Sequence, residues 1–425
     1  MDAKTVRAKH RKLLFPCVGN YYEEPMVPVK ASGLTVTDAD GREYLDFFGG
    51  ILTVSLGHCH PKVTARIAEQ AATLGHVSTL YPTENIVALA EKMTELSGLD
   101  RCFFPSTGTE ADETAVLLAR IHTGGHEVIA LRHSYSGRSL LAINMTGHAN
   151  WRLVPSLVPG IKHALAPYCY RCPLGKAYPS CEVACAKDLT ELIATETSGR
   201  PAAFIAEPIL GVGGFITPPK EYFQVAAEIV RKAGALYISD EVQTGFGRTG
   251  THWNGIDHSG VKPDIMTYAK GVANGMPMGV TVASEAVATS WKGPSIATFG
   301  GNPVSSAAAL ATIEVMQTEK IPERAARLGA RLRGRLDGLM EKHRGIGDVR
   351  GMGLMQALEL VKDRTTNEPD AAATNRLMEA TKKRGLLVGK GGLYGNTIRI
   401  APPMLVSESQ IDTAMDLLDA ALGEI

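Results

Sequence analysis

The chain has 425 residues, of which 44% are hydrophobic and 21% are charged, a composition typical of a soluble globular protein. This length exceeds what one ordinary domain needs, so we expect two packed domains. Lysine and arginine (44) balance aspartate and glutamate (44), and no basic stripe or acidic tail is visible. The balance argues against a nucleic-acid partner and favours small-molecule chemistry.

The N-terminal stretch MDAKTVRAKHRKLLFP is basic but lacks the apolar core that a secretion signal needs. No run in the chain approaches the roughly 18 apolar residues of a membrane span. We therefore expect a basic arm on the surface, no membrane partner and a cytoplasmic location. An organelle presequence is the alternative, and Asp2 and the lack of a serine-rich stretch argue against it.

The first third of the chain alternates apolar residues with turns. GLTVTDADGREYLDFFGG predicts two strands joined by a turn at Asp40–Gly41. In the following HPKVTARIAEQAATLGH, Val63 and Ile67 stand at helical spacing and Gly75 is a helix stop. We assign residues 1–60 to an N-terminal segment that contributes to a small domain.

Residues 61–305 are predicted to form a large domain. Short apolar runs alternate there with amphipathic stretches, and the runs span 127–131, 203–207, 235–240, 264–268 and 279–284. Runs without polar alternation are typical of strands buried on both faces, and their alternation with helices indicates a mainly parallel sheet. The pattern predicts an α/β domain.

Residues 306–425 differ in character and are predicted to form a smaller α+β domain. Long helices are expected over 304–318 and 322–343, and a shorter one over 371–384. GDVRGMGLMQALEL between them predicts a pair of strands.

Two residues of opposite charge follow strands of the predicted sheet. Asp240 ends one strand and Lys270 follows another, at the edge where ligands of such sheets collect. A pyridine aldehyde fits between them, because Asp240 would keep its ring nitrogen protonated and Lys270 would bind its aldehyde. Burial would lower the pKa of the Lys270 amine and prepare it for attack and proton transfer. A buried Asp–Lys ion pair is the alternative.

Two further stretches are suited to a cofactor. In PSTGTEADETAVLLARIHTG, the small residues up to Thr109 lead into a helix whose free N–H groups could bind phosphate. An ordinary N-cap with an acidic first turn explains the same residues. Tyr135, in LRHSYSGRS, could stack on a flat ring, with core packing as the alternative.

Taken in order, these segments resemble the class III (ω-type) aminotransferases of PLP fold type I. The order STGTEA, SYSGR, AEPILGVGGFITPP, SDEVQTGFGRTG, AKG and TFGGNP is that of the family, and the resemblance extends from about Tyr21 to the C-terminus. It implies pyridoxal 5′-phosphate (PLP) as cofactor and an α/β fold with a mainly parallel, seven-stranded-type sheet plus a smaller α+β domain. It also implies a homodimer with shared active sites, or a tetramer of two such dimers.

The resemblance assigns roles to individual residues. Lys270 would hold the cofactor covalently, and Asp240 would pair with its ring nitrogen. Arg399, in TIRIAPP, would bind a substrate carboxylate through its two-pronged guanidinium group. The remaining cofactor contacts would be Thr107, Gly108 and Thr109 at the phosphate, Tyr135 on the ring, Glu207 beside ring and substrate, Gln243 at the phenolic oxygen, and Thr298 at the phosphate of the neighbouring subunit.

Two positions depart from the family pattern. Ser136 stands where the family commonly has histidine after the stacking aromatic residue, and Thr107 stands where it commonly has asparagine or serine. Neither change removes an essential group, but Ser136 could alter the tuning of the ring or the reaction specificity.

Four stretches resemble one branch of the family, that of alanine–glyoxylate aminotransferase 2: YLDFFGGILTVSLGHCHPKV, CEVACAKDL, GDVRGMGLMQALEL and GLLVGKGG. The branch implies transfer of an amino group from alanine or a β/ω-amino acid to a small 2-oxo acid, glyoxylate or pyruvate, by a ping-pong mechanism. Candidates for the substrate wall are Tyr22, Ile51, Leu52 and Tyr81. Packing is the alternative for each and the favoured interpretation for Leu52.

Other reactions on the same fold remain open. A PLP-dependent lyase, decarboxylase or aminomutase is the first alternative, and a non-catalytic binding protein is a distant one. Arg399 favours transfer, because both half-reactions need an anchor for a carboxylate.

The chain has seven cysteines, and this odd number does not suggest a disulfide framework. Four of them form a C-x2-C-x8-C-x3-C cluster. Cys169, Cys172, Cys181 and Cys185 have a spacing that resembles a zinc knuckle. We expect reduced thiols in an irregular loop and no bound metal, with zinc or disulfides as the alternatives.

Overall fold

The structure is a computed structural model and describes residues 1–153 and 158–425. Its helices are α1 (Ala3–Leu13), α2 (Gly49–Leu52), α3 (Pro61–Thr73), α4 (Glu84–Ser97), α5 (Gly108–Thr123), α6 (Leu140–Met145), α7 (Ala184–Lys187), α8 (Leu189–Glu196), α9 (Tyr222–Lys232), α10 (Glu285–Ala288), α11 (Pro303–Thr318), α12 (Ile321–Lys342), α13 (Ala371–Lys383) and α14 (Glu408–Leu422). Its strands are β1 (Pro28–Ser32), β2 (Thr35–Asp38), β3 (Glu43–Asp46), β4 (Arg101–Phe103), β5 (Val128–Leu131), β6 (Ile161–Ala164), β7 (Ala203–Ala206), β8 (Leu236–Asp240), β9 (Ile265–Tyr268), β10 (Val280–Ala283), β11 (Ile346–Met352), β12 (Met355–Leu360), β13 (Leu386–Leu387), β14 (Gly389–Gly391) and β15 (Thr397–Ile400).

A seven-stranded sheet forms the centre of the molecule, in the order β4-β10-β9-β8-β7-β5-β6. The pairs from β9 to β6 are parallel, whereas β10 runs antiparallel to both of its neighbours. This arrangement confirms the predicted α/β class and the mainly parallel sheet. All five predicted apolar runs are strands of this sheet.

Alternate residues of the central strands are buried in two different cores. Val128 and Ala130 of β5 pack with α5 on one face, and Ile129 and Leu131 pack in the larger core on the other. Burial on both faces is the physical reason why these strands lack polar alternation.

Two four-stranded sheets accompany the central one. One of them has the strand order β11-β12-β15-β14. It contains the predicted strand pair, β11 and β12, which is antiparallel, and α12 packs against β11. The other sheet has the strand order β1-β2-β3-β13, and the predicted turn at Gly41 joins β2 to β3. In this sheet β3 and β13 are parallel, with Leu45 opposite Leu386. A strand from the C-terminal part thus completes the N-terminal sheet, although the domain boundaries stay a prediction.

The basic N-terminal residues, which were predicted to form a surface arm, form the helix α1. Asp2 is the N-cap of α1, and its side chain accepts the N–H of Thr5 at 2.7 Å. Within the described residues, none of the helices combines the length and apolar character needed to cross a membrane.

A buried ion cluster joins the loop after β6 to the smaller sheet. Glu359 of β12 accepts hydrogen bonds from Arg350, at 2.6 Å, and from Arg171 and Tyr168 of the loop. Arg350 also donates to the carbonyl oxygen of Gly214 at 2.9 Å. Because Glu359 is fully buried, breaking this cluster would leave an unpaired charge in the interior.

Candidate active site

Three adjacent strands bring the predicted charged residues together. Glu207 follows β7, Asp240 ends β8 and Lys270 follows β9. Because these strands are parallel neighbours, their carboxyl ends meet at one edge of the sheet. All three residues line one cavity of about 140 Å³. In the described part of the chain no ion pair joins Asp240 and Lys270, so the simple buried salt bridge is not what the structure contains.

Lys270 occupies an unusual backbone position. Its φ of 46° lies in the left-handed region, at the start of the 3-10 turn Lys270–Ala273. Such a residue costs about 1–3 kcal/mol and is typical of functional sites, where the surroundings hold it in place. Burial lowers the pKa of the Lys270 amine and Arg399 adds to this effect, whereas Asp240 opposes it. A lowered pKa favours the neutral, nucleophilic amine.

Asp240 lies beside a second buried acid, Asp112 of α5, which also lines the cavity. The hydroxyl of Thr267 donates to Asp112 Oδ1 at 2.7 Å, and the N–H of Val242 donates to Asp240 Oδ1 at 3.0 Å. Burial raises the pKa of Asp240 to about 6. Burial, followed by the charge of Asp240, raises the pKa of Asp112 well above its usual value.

Glu207 is fixed by two backbone donors. Its Oε1 accepts the N–H of Tyr135 at 3.0 Å, and its Oε2 accepts the N–H of Gly211 at 2.8 Å. Burial, and next the nearby charge of Asp240, raise the pKa of Glu207 to about 8. The carboxyl group is therefore held in a fixed orientation on the cavity wall.

The start of α5 contains both a helix cap and an open cradle. Thr107 is the N-cap: its hydroxyl accepts the N–H of Glu110 at 3.2 Å, and the Glu110 carboxylate accepts the N–H of Ser106 at 2.7 Å. Glu110 thus points back along the chain, away from the cavity. Gly108 and Thr109 line the cavity at the positive end of the helix.

Glycines keep this end of the cavity open. A Cβ on Gly137 would lie 2.1 Å from Thr109 Oγ1, and a Cβ on Gly108 would lie 3.2 Å from Val242. An anion needs the space beside the start of the helix, and a larger residue at either position would fill that space.

Gln243 and Tyr135 line the same cavity. Gln243 is 6% exposed, and its Oε1 has no hydrogen-bond partner among residues 1–153 and 158–425. Because the two ends of an amide are assigned from their partners, one end of this amide is free for a ligand. A buried polar atom left unpaired costs about 1–3 kcal/mol, which a bound group would recover. The ring of Tyr135 stands edge-on to Trp151, with centroids 5.6 Å apart.

Arg399 of β15 is a buried cation, 4% exposed. Its Nη2 donates to the Lys390 carbonyl at 2.9 Å and to the Tyr21 hydroxyl at 3.4 Å, and its guanidinium carbon lies 4.8 Å from the Phe48 ring centroid. No carboxylate of the described residues forms an ion pair with it. An uncompensated buried charge is costly, and a substrate carboxylate would supply the missing partner.

Arg399 and Thr107 do not line the cavity between Asp240 and Lys270, although the charge of Arg399 acts on the Lys270 amine. The remaining predicted residues lie outside this cavity as well. Thr298 is exposed on the surface, and Ile51 and Tyr81 are 44% and 66% exposed. Leu52 is buried in a core cluster, in line with packing. The ring of Tyr22 contacts Lys382, whose Nζ lies 4.7 Å from the centroid. The roles predicted for Thr298, Ile51, Tyr81 and Tyr22 stay predictions.

Two residues of the site were missing from the sequence-based prediction. The sequence contains a signal for Asp112, because this acid stands between Ala111 and Ala115 on the apolar face of α5. The sequence contains no signal for Tyr21, because its contact with Arg399 joins positions that are 378 residues apart.

The four clustered cysteines line a second, small cavity of about 20 Å³. All seven cysteines are free thiols, and within the two described ranges no group of histidine, cysteine or acidic residues is arranged to hold a metal. Burial raises the pKa of Cys185 to about 11, which makes this thiol unreactive near neutral pH.

The comparisons with known proteins decide the family. The family model described as "Aminotransferase class-III" matches residues 18–422. The chain belongs to the class III aminotransferases. The earlier resemblance to this family and to the alanine–glyoxylate aminotransferase 2 branch is thereby confirmed.

Relatives of this class III aminotransferase carry several names. A protein of Arabidopsis thaliana named alanine–glyoxylate aminotransferase 2 homolog 2, mitochondrial, is 39% identical over 427 residues, which cover 100% of this chain and 88% of the relative. The acetylornithine aminotransferase of Methanothermobacter thermautotrophicus is 37% identical over 427 residues and 100% of both chains. A solved amine transaminase from an uncultivated Pseudomonas species, in its PLP-bound form, has a TM-score of 0.91 and 32% identity, covering 97% of this chain and 98% of that one.

Class III aminotransferases depend on PLP, and the cavity of this enzyme fits that cofactor. The cradle beside Gly108 and Gly137 has room for an anion, one end of the Gln243 amide is unpaired, and an acid and an amine flank the space between.

Proposed function

We propose that this aminotransferase moves an amino group from alanine or a β/ω-amino acid to a small 2-oxo acid, glyoxylate or pyruvate, by a ping-pong mechanism. The observation that carries the proposal is Arg399, a buried cation without a carboxylate partner in the described residues. Donor and acceptor both possess a carboxylate, so one anchor serves both half-reactions. The name of the Arabidopsis relative supports this substrate class.

Three charged residues of the cavity have separate tasks in this proposal. PLP, when bound, supplies a ring that takes up the electrons of a bond at the amine-bearing carbon of the substrate. Lys270 would hold the cofactor aldehyde, and its amine would also carry the proton at the reacting carbon of the substrate. Asp240 keeps the proton on the ring nitrogen. Glu207, which is oriented by the backbone N–H groups of Tyr135 and Gly211, would lie beside the ring and the substrate.

Neutral groups complete the proposed site. Backbone N–H groups at the start of α5 bind the phosphate, while the Thr107 side chain acts through the helix cap. The proposed contacts are Gly108 and Thr109 at the phosphate, Tyr135 on the ring face, Gln243 at the phenolic oxygen, and Tyr22, Ile51 and Tyr81 in the substrate wall.

A homodimer with shared active sites belongs to the same proposal. Thr298 lies between Ile296 and Phe299, which are 57% and 67% exposed. His76 contacts Phe299 with ring centroids 5.3 Å apart, and Tyr81, five residues after His76 in the chain, is 66% exposed. Clustered exposed apolar residues of this kind mark interfaces. Pairing through this surface would bring Thr298 to the phosphate of the other subunit, and two dimers could form a tetramer.

We also propose a cytoplasmic location. The seven cysteines are free thiols, which is typical of proteins in a reducing compartment. The mitochondrial name of the Arabidopsis relative makes the mitochondrion the competing location.

Arg399→Ala is expected to weaken reactions of donors that have a carboxylate. Loss of one partner of a buried charge pair costs about 2–4 kcal/mol, so kcat/KM for alanine should fall roughly 30- to 1000-fold. The measurement is the single half-reaction of purified holoenzyme, followed by the change in visible absorption when alanine, a β-amino acid or an ω-amino acid is added.

A donor without a carboxylate, such as 1-phenylethylamine, provides the matched control and should be affected less than threefold. An equal loss for both classes of donor would contradict the role of Arg399. Release of carbon dioxide in place of a keto acid would instead favour the decarboxylase alternative. Rapid reaction of N-acetylornithine and slow reaction of alanine would favour the second substrate class, the one named for the Methanothermobacter relative.

A further inference from the structure

The proposed function uses Asp240 but leaves its buried neighbour without a task. Asp112 is 1% exposed, projects from α5 and lines the same cavity. The Asp112 and Asp240 carboxyl groups lie within hydrogen-bonding reach of each other. The other charged groups that face Asp112 are Glu207 and, across the cavity, Lys270. A buried acid in this place needs a physical explanation, because burial of a charge without a partner is costly.

Hydrogen bonding defines where the proton of this pair lies. The Thr267 hydroxyl donates to Asp112 Oδ1 at 2.7 Å, and the Val242 N–H donates to Asp240 Oδ1 at 3.0 Å. Two carboxylates in contact and away from water cannot both be ionised. Burial raises the pKa of both acids, and the charge of Asp240 raises that of Asp112 further. The N–H of Val242 and the amine of Lys270 act in the opposite direction on Asp240 and favour its charged form. Asp112 is therefore the member of the pair that keeps its proton.

We propose that Asp112 is a positioning residue, which stays protonated and donates its carboxyl hydrogen to Asp240. Asp240 then accepts two hydrogen bonds, from Val242 and from Asp112, and presents one fixed negative charge to the ring nitrogen of PLP. The inference rests on the proposed function, since it requires that Asp240 faces that nitrogen. It also explains why an acid occupies the apolar face of α5: a hydrogen-bond donor is needed at this point.

Two substitutions at Asp112 separate the effect of its hydrogen-bond donor from the effect of its side-chain shape. Asp112→Asn keeps the size and a donor, because the amide can accept from Thr267 and donate to Asp240 at every pH. Asp112→Leu keeps the branched shape of the side chain, with a somewhat larger volume, and has no donor. We expect the PLP dissociation constant at pH 7 to stay within about threefold of wild type for Asp112→Asn and to rise roughly tenfold for Asp112→Leu. The visible spectrum of the holoenzyme should change only in Asp112→Leu.

Equilibrium dialysis with PLP gives the dissociation constants, and an absorption titration between pH 6 and pH 9 gives the spectra. Far-UV circular dichroism checks that each variant is folded. Asp112→Ala replaces Asp112→Leu if the leucine variant fails to fold. Equal weakening in Asp112→Asn and in the variant without a donor would overturn the proposal, and so would wild-type affinity in both.

Asp240→Asn, measured in the same way, distinguishes a failure of the proposed role of Asp240 from a failure of the proposed role of Asp112. If it leaves the affinity and the spectrum unchanged, the proposed role of Asp240 fails and the inference on Asp112 fails with it. If Asp240→Asn alters both while Asp112→Leu alters neither, only the inference on Asp112 is overturned.

Discussion

Replacing Lys270 with alanine is expected to reduce kcat by about 10⁴-fold or more, because in the proposed function the same amine holds the cofactor and transfers the proton. Lys270 is the lysine that lines the cavity with Asp240 and Glu207, and burial lowers the pKa of its amine. The measurement is steady-state turnover with saturating alanine and pyruvate, together with the visible absorption spectrum of the purified protein. The absorption band of the holoenzyme should be lost or shifted in the variant.

Lys270→Arg keeps a positive charge without the nucleophile and should be as inactive as the alanine variant. Lys292→Ala, which changes an exposed lysine outside the cavity, is the matched control and should turn over as wild type does. Retention of more than a tenth of wild-type kcat in Lys270→Ala would show that another group performs these steps.

Asp240→Asn is expected to lower kcat by roughly 10²- to 10⁴-fold while the protein stays folded. The amide has the size of the carboxyl group and can still accept the N–H of Val242, but it carries no negative charge to hold the proton on the ring nitrogen. The measurement is kcat for alanine and pyruvate, with thermal unfolding as the check on folding.

A chemical rescue makes the Asp240 prediction more specific. A PLP analogue methylated at the ring nitrogen has a permanent positive charge and does not need a carboxylate to retain a proton. Combined with Asp240→Ala, which leaves room for the methyl group, this analogue should restore a measurable part of the half-reaction with alanine. If it gives no more activity than PLP in that variant, the role of Asp240 at the ring nitrogen is wrong.

The central sheet could be predicted because its strands are buried on both faces and appear as apolar runs. The same reasoning missed β4 and β6, which have three and four residues, lie at the two edges of the sheet and are only partly buried. The antiparallel direction of β10 could not be predicted either, because the apolar pattern of a strand is the same in both directions.

The site was predictable where short motifs carry the chemistry. Asp240 ends a recognisable strand, and Lys270 and Glu207 each follow one, so the strand order brings the three residues together. Asp112 and Tyr21 act through contacts between elements that are remote in the chain. Such contacts depend on the three-dimensional packing of α5 on β8 and of the N-terminal segment on β15, which spacing along the chain does not contain.

The central claim is that Lys270 holds PLP covalently, and reductive trapping tests it most directly. Holoenzyme is treated with sodium borohydride, digested, and its peptides are sequenced by mass spectrometry. We expect one phosphopyridoxyl group per chain, attached to Lys270. Attachment at a different lysine, or none in protein that absorbs visible light before reduction, would contradict the account.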